Sequence, residues 1–108
     1  MPIITSFTLW RGVAVTLRFT LETAEDVTGW TTQFVLRREA GSTTALLTKA
    51  GATIDAVNGV FDVALTKAET LALSTGDYVF AFGRTNAGSE DLLTEGAVTV
   101  KYSVLYNS

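Results

Sequence analysis

The stretch NGVFDVALTKAETLALSTGDYVFAFGR, residues 58–84, contains two strand patterns joined by one helix-like turn. In Phe61–Leu65, large apolar residues alternate with smaller or polar ones, as in a strand with one buried face. Thr66 and Glu69 follow with the spacing of a capping box, in which each side chain accepts a hydrogen bond from the other residue's backbone N–H. We therefore expect a short helical turn near 66–73 that lifts the chain off one sheet.

The return from this turn begins with Gly76-Asp77, followed directly by Tyr78. The Tyr78 hydroxyl is placed to hydrogen-bond back to the backbone across the corner. The arrangement resembles the corner at which immunoglobulin-like domains pass between their two sheets. The disulfide of antibody domains is excluded, because the chain contains no cysteine.

Short strand patterns recur along the rest of the chain, and no long helical period interrupts them. Strands are expected at Ile3–Trp10, Val13–Glu22, Trp30–Arg37, Ala45–Lys49, Asp91–Glu95 and Val98–Val104, with a loop over Ala50–Asn58 and a bulge or kink at Gly96. Seven to eight strands at this spacing predict an all-β, antiparallel immunoglobulin-like β-sandwich. The length of 108 residues predicts a single domain over residues 1–108.

The composition excludes several classes of function. Without cysteine or histidine, the chain has no thiolate ligand, no imidazole base and no Ser-His-Asp machinery. The net charge is −3 and the eight Lys and Arg residues are scattered, so a basic patch for nucleic acid is not expected. No apolar run reaches the roughly 20 residues of a membrane helix, and no secretory signal pattern is present. We expect neither a nucleic-acid nor a membrane partner.

The chain is rich in apolar residues for a small domain. Hydrophobic residues make up 47% of it, and the mean hydropathy is +0.30. A dense sandwich core with Ala and Thr on the surface explains these values. Burial of apolar surface against other subunits explains them equally well.

Acidic residues lie close together at Glu22, Glu25 and Asp26 and again at Glu90 and Asp91. Loop carboxylates suit Ca²⁺, but neither group has the spaced Asp, Asn and Gly pattern of a calcium-binding loop. Solvated loop charge is the simpler interpretation. The glycines show no phosphate-binding spacing either. We expect no catalytic residue, no metal ligand and no cofactor.

The aromatic residues fall into two groups. Those at core-facing alternations are Phe19, Phe34, Phe61, Tyr78, Phe80 and Phe82. The second group is Trp10, Trp30, Tyr102 and Tyr106, for which three roles stay open: the protein's own core, a subunit contact or a ligand platform. A carbohydrate-binding module would use exposed aromatic side chains such as Trp10 or Tyr106 as its platform.

Several motifs in order resemble the N-terminal immunoglobulin-like domain of the baseplate upper protein family of tailed phages, and related small phage structural proteins. The motifs are Arg11-Gly12, Asp26-Val27-Thr28-Gly29-Trp30, Gly59-Val60-Phe61, Leu65-Thr66-Lys67-Ala68-Glu69-Thr70, Leu73, Gly76-Asp77-Tyr78, Arg84-Thr85, Gly88, Leu93 and Gly96-Ala97-Val98-Thr99-Val100. The chain departs from the family at Val13, where an acidic residue is frequent. Longer family members continue into further domains. Since this chain stops at Ser108, it is expected to be a minimal module.

The resemblance implies a virion structural protein without enzymatic activity, made in the host cytoplasm and assembled into the particle. Its partners would be other virion proteins of the tail, baseplate or capsid, with the chain present as a homo-oligomer or in repeated copies. The edge strands Ile3–Trp10 and Ala45–Lys49 are candidates to extend a neighbour's sheet. Trp10, Leu105 and Tyr106 are the candidate subunit contacts. The alternatives are a carbohydrate-binding module of a fibre or enzyme and, more remotely, a calcium-dependent adhesion domain.

Overall fold

A computed structural model describes residues 6–21, 25–39, 41–42 and 44–102. In chain order, the elements are β1 (Ser6–Trp10), β2 (Val15–Thr20), β3 (Thr32–Arg37), β4 (Leu47–Ala50), β5 (Ala52–Asp55), β6 (Val60–Leu65), α1 (Lys67–Leu71), β7 (Gly76–Arg84) and β8 (Asp91–Lys101). They form a five-stranded sheet in the order β1-β8-β7-β3-β4 and a three-stranded sheet in the order β2-β6-β5. The predicted all-β, immunoglobulin-like sandwich is confirmed.

One pairing differs from the antiparallel expectation. The strand β1 runs parallel to β8, with Ser6 opposite Ala97 and Trp10 opposite Lys101. The first and last described strands thus lie side by side, and β1 becomes an outer strand of the larger sheet. Two parallel strands cannot be joined by a tight turn and need a long connection. Here all the elements from β2 to β7 lie between β1 and β8 in the chain, so the connection is long enough.

The core lies between the two sheets and includes the aromatic residues predicted for it, together with leucines and valines of both sheets. Phe19, Phe34, Phe61 and Phe82 are fully buried. The rings of Phe19 on β2 and Phe82 on β7 stack at 4.3 Å, which joins one sheet to the other. Each buried ring removes a large apolar area from water and so contributes strongly to the hydrophobic stabilisation of the domain.

The predicted corner between the sheets is present. The helix α1 begins after Thr66, whose side chain accepts from the Glu69 N–H at 3.2 Å, while the Glu69 carboxylate accepts from the Thr66 N–H at 2.8 Å. The Tyr78 hydroxyl donates to the Ser74 carbonyl oxygen at 2.6 Å. The chain therefore leaves the three-stranded sheet at β6 and enters the five-stranded sheet at β7, as expected.

The end of α1 is held by a residue from the beginning of the chain. Arg11 donates from Nε to the Leu73 carbonyl at 2.7 Å and from its terminal nitrogen to the Leu71 carbonyl at 2.8 Å. Because the last turn of α1 contains no basic residue of its own, this guanidinium supplies the positive charge that favours a helix C-terminus. The Gly12 N–H donates to the buried Thr70 hydroxyl at 3.1 Å.

Two predictions of local structure were wrong. The expected loop over Ala50–Asn58 contains β5, which follows β4 after the single residue Gly51. A Cβ at Gly51 would collide with the Thr32 hydroxyl oxygen and lie 3.1 Å from the Phe82 ring, so only glycine lets the chain cross between the sheets there.

The predicted bulge at Gly96 lies elsewhere. Gly96 pairs regularly with Phe80, and the register shifts where Phe82 opposes Thr94 but Gly83 opposes Leu92. A Cβ at Gly83 would lie 2.6 Å from the Asp91 carbonyl oxygen, so this close backbone approach places the irregularity at Gly83. The two expected strands Asp91–Glu95 and Val98–Val104 are consequently one strand, which ends at Lys101 within the described residues.

Candidate functional site

The sheet order places β1 at one edge of the five-stranded sheet. The strand β4 is the opposite edge, and β2 and β5 are the edges of the smaller sheet. The outer strand of a sheet presents unpaired N–H and C=O groups, which serve as a template for a strand from another chain. These four edges are the first places to compare when seeking a contact surface.

The hydrogen bonding of β1 shows which of its backbone groups point outward. Trp10 lies opposite Lys101, and the Arg11 N–H donates to the Lys101 carbonyl at 2.9 Å. In a parallel pair, the N–H and C=O groups of every second residue point toward the neighbouring strand, and those of the residues between them point away. The bond from Arg11 shows that the odd-numbered residues of β1 are the ones that point toward β8. The backbone groups of Phe7 and Leu9 therefore point to β8, and those of Ser6, Thr8 and Trp10 point away from it. The Trp10 carbonyl also accepts from the Val13 N–H at 3.1 Å.

The β1 edge, defined as the outward backbone groups of Ser6, Thr8 and Trp10, has no pairing strand among the described residues. It also lacks the features that usually block an edge, namely charge, proline and bulges. The other edges each have one: Arg18 on β2, Lys49 on β4, and Asp55 with a register shift on β5. This contrast singles out β1 as the candidate site.

The side chain of Trp10 extends the β1 edge on the outer face of the sheet. It is 46% exposed, and the Lys101 Nζ lies 5.7 Å from its ring centroid. Trp10 is therefore on the surface, where a subunit contact requires it to be. The other two predicted contact residues, Leu105 and Tyr106, lie outside the described residues. The second candidate edge, predicted at Ala45–Lys49, is β4 at Leu47–Ala50.

The remaining uncertain aromatic residues do not join Trp10 in one platform. Trp30 is half-buried against the Phe61 ring, and the Arg84 guanidinium lies 4.5 Å from its ring centroid. Tyr102 is 57% exposed, but it follows Lys101, which shares a face with Trp10. Tyr102 lies just beyond the end of β8 and its ring centroid is 5.3 Å from the Arg11 guanidinium, whereas the Trp10 ring lies next to Lys101, so the two rings have separate surroundings.

A shallow depression on the outer face of the five-stranded sheet was not predicted. It has a volume of about 390 Å³ and a floor of Val35, Val79, Ala81 and Ala97, with Arg37 and Glu95 also lining it. These residues are the outward-pointing members of β3, β7 and β8. In the sequence, the signal for this depression is that Val35, Val79, Ala81 and Ala97 are apolar at positions where strand alternation predicts a solvent-facing side chain.

The carboxyl groups with shifted pKa values have structural roles. The pKa of Asp26 is lowered by hydrogen bonds from the Thr28 hydroxyl and N–H. The pKa of Asp62 is lowered by its two hydrogen bonds from Arg18, on the outer face of the smaller sheet. No group of three or more acidic side chains among the described residues is arranged to hold a metal ion, although Glu22 lies outside them. Nor is any described helix long and apolar enough to span a membrane.

The arrangement defines an immunoglobulin-like β-sandwich in which, of the four edge strands that the structure describes, β1 alone lacks a charge or a bulge. Its fold is similar to the N-terminal domain of phage TP901-1 ORF48, at 12% identity and a TM-score of 0.52, covering 91% of this chain and 84% of that one. It is also similar to CopC from Methylosinus trichosporium OB3b, at 15% identity and a TM-score of 0.51, covering 94% and 89%.

A proposed glycoside hydrolase from Bacteroides vulgatus contains a similar region, at 11% identity and a TM-score of 0.50. The match covers 93% of this chain but only 17% of that protein. Identities this low show a shared fold alone. No protein-family model and no curated protein sequence matches the chain.

Proposed function

We propose that this chain is a non-enzymatic structural protein of a phage particle that acts as an assembly, attachment or decoration module. It works through protein–protein contacts made by its surface, and the β1 edge is the contact that we assign to it. The single observation that carries the proposal is the uncharged edge of β1, which no other described strand pairs, with Trp10 beside it.

Three further observations support the proposal. The motifs that resemble the phage baseplate family include Arg11-Gly12 and Leu65–Thr70, and these two segments contact each other through the Thr70 hydroxyl. One of the similar folds is a domain of a phage protein. The described titratable groups with shifted pKa values are held by hydrogen bonds within loops, caps and ion pairs, so none of them is poised for acid–base chemistry.

The carbohydrate-binding alternative draws on the similar region in a proposed glycoside hydrolase. Such a module presents coplanar exposed rings on one surface, but Tyr102 lies against Arg11 while Trp10 lies against Lys101, and Trp30 is covered by Arg84. No observation therefore favours it over a protein contact. Binding to a glycan array that is lost in Trp10→Ala would reverse this choice.

Incorporation into particles tests the proposal. We expect peptides of the chain in gradient-purified virions from the phage or cells that encode it. Burial of the exposed part of the indole would contribute about 2–3 kcal/mol, or roughly a hundredfold in affinity, so Trp10→Ala should markedly reduce incorporation. Leu46→Ala is the matched control, because Leu46 is also 46% exposed but precedes β4. Absence of the chain from pure virions would refute the proposal.

A further inference from the structure

We infer that the β1 edge pairs with the β1 edge of a second copy of this chain, antiparallel and centred on Thr8. The two five-stranded sheets would then form one continuous sheet across a two-fold axis. The inference deepens the proposed function, since it names the partner of the same site. It rests on the direction of the outward backbone groups and on the absence of charge along the strand.

The backbone of β1 is self-complementary about Thr8. In an antiparallel pair, two directly opposed residues exchange both N–H···O=C bonds only if the groups of both point toward each other. Thr8 meets this condition against Thr8 of the second copy, because its groups point away from β8. In the same register, Ser6 of each copy lies opposite Trp10 of the other copy, and the backbone groups of both residues also point away from β8. The strand therefore supplies about four intermolecular hydrogen bonds without any shift of its internal pairing. The Trp10 carbonyl of each copy already accepts from the Val13 N–H and would have to accept a second bond to bring the number to about six.

The side chains allow the same register. Ser6, Thr8 and Trp10 lie on the outer face, so each indole would lie beside the small side chain of the partner's Ser6. On the inner face, half-buried Phe7 would lie opposite the partner's Leu9, which extends the apolar core across the junction. No residue of Ser6–Trp10 is charged, so the two-fold axis places no like charges opposite each other.

The other three edges do not offer this symmetry. Arg18 and Lys49 lie near the middle of β2 and β4, so either strand, fully overlapped with its own copy, would bring two like charges close together. On β5, the register shift between Thr53 and Asp55 interrupts the regular spacing of the outward groups. A dimer built on β1 alone is consequently the expected one. Because the strand is short, its dissociation constant should lie in the micromolar range, about 1–100 µM.

Single cysteine variants give a direct test, because the chain contains no cysteine of its own. Directly opposed residues of a hydrogen-bonded antiparallel pair have Cα atoms about 5.5 Å apart, within the range that a disulfide spans. Mild oxidation of Thr8→Cys should therefore give a covalent dimer on a non-reducing gel. Thr48→Cys is the matched control, since Thr48 is an exposed threonine on the opposite edge strand, and it should stay monomeric. A monomeric Thr8→Cys, or equal cross-linking of both variants, would overturn the inference.

Sedimentation of the purified chain from about 1 to 300 µM, across the expected dissociation constant, gives the second test. Thr8→Pro removes an outward N–H but no bond to β8, so the fold should persist while the two central intermolecular bonds are lost. The dimer dissociation constant should rise at least thirtyfold or so. Thr8→Val keeps the N–H and should leave the constant within about threefold of the original. A wild-type chain that sediments as a monomer at all of these concentrations would refute the inference.

The two proposals fail separately. A chain that is found in virions but neither sediments as a dimer nor cross-links through Thr8→Cys refutes self-pairing and leaves the structural role intact. That result would assign the β1 edge to a strand of another virion protein. A chain that dimerises through β1 but is absent from purified virions supports self-pairing and refutes the structural role.

Discussion

Two buried threonines should respond in opposite directions to the same substitution by valine. Thr70 is completely buried in α1, and its hydroxyl accepts from the Gly12 N–H at 3.1 Å and lies 3.2 Å from the Val13 carbonyl oxygen and 3.1 Å from that of Lys67. Thr32 is 2% exposed at the start of β3. Its hydroxyl has no hydrogen-bond partner among the residues that the structure describes. Valine has nearly the same shape as threonine but lacks the hydroxyl.

The magnitudes follow from these contacts. Thr70→Val leaves the buried Gly12 N–H without an acceptor, which costs about 1–3 kcal/mol, and removes one donated bond. The added apolar burial offsets part of this, so the free energy of unfolding should fall by about 2 kcal/mol. Thr32→Val instead removes an unpaired buried hydroxyl, and the free energy of unfolding should rise by about 1 kcal/mol.

Urea unfolding at 25 °C, followed by the intrinsic fluorescence of Trp10 and the half-buried Trp30, measures both changes. With an m-value near 1.5 kcal/mol per M, the midpoint should fall by about 1.3 M for Thr70→Val and rise by about 0.7 M for Thr32→Val. The melting temperature of Thr70→Val should fall by about 8–16 °C. Thr16→Val, at an exposed position of β2, is the control and should stay within about 0.5 kcal/mol of the wild type. Equal effects of Thr70→Val and Thr32→Val would refute the hydrogen-bond argument.

The corner and the capping box each give one further prediction. Tyr78→Phe removes the hydrogen bond to the Ser74 carbonyl and should lower the free energy of unfolding by about 1–2 kcal/mol in the same urea assay; no change would show that the corner does not depend on this bond. Hydrogen bonds from the Thr66 N–H and then Lys49 lower the folded-state pKa of Glu69, so its stabilising contribution is present above its unfolded pKa and is lost as the pH falls through the lower folded value. Glu69→Gln keeps the cap and should flatten the loss of stability below about pH 4.5, whereas an unchanged slope would assign that loss to other carboxylates.

The corner around α1 was predictable because its signals are local. The capping bonds between Thr66 and Glu69 and the bond from Tyr78 to Ser74 each join residues at most four positions apart in the chain. The guanidinium of Arg11, by contrast, acts on carbonyls about sixty positions away. Nothing near Arg11 in the sequence indicates that the end of α1 is its partner. The contact gives a physical reason why the Arg11-Gly12 and Leu65–Thr70 motifs belong to one pattern.

The errors in predicting strands came from close approaches between distant segments. The small residues around Gly51 predict a loop, but the chain crosses there from β4 to β5 past Thr32 and Phe82. Gly83 marks the bulge because the backbone of Asp91 approaches it. A single sequence shows that a glycine is present, but it does not show which distant atoms exclude a side chain.

The candidate site shows the same division between what is local and what is not. Side-chain alternation alone indicates that Ser6, Thr8 and Trp10 share one face of β1. The direction of their N–H and C=O groups depends on the strand that β1 pairs with and on the register of that pairing. The pairing strand is β8, the last described strand of the chain, which is far from β1 in the sequence. An uncharged strand in the middle of a sheet is unremarkable, whereas the same strand at an edge is a docking surface unless something blocks it. Because charge or a bulge occurs on β2, β4 and β5 but neither occurs on β1, the sequence protects three of the four described edges and leaves one able to pair.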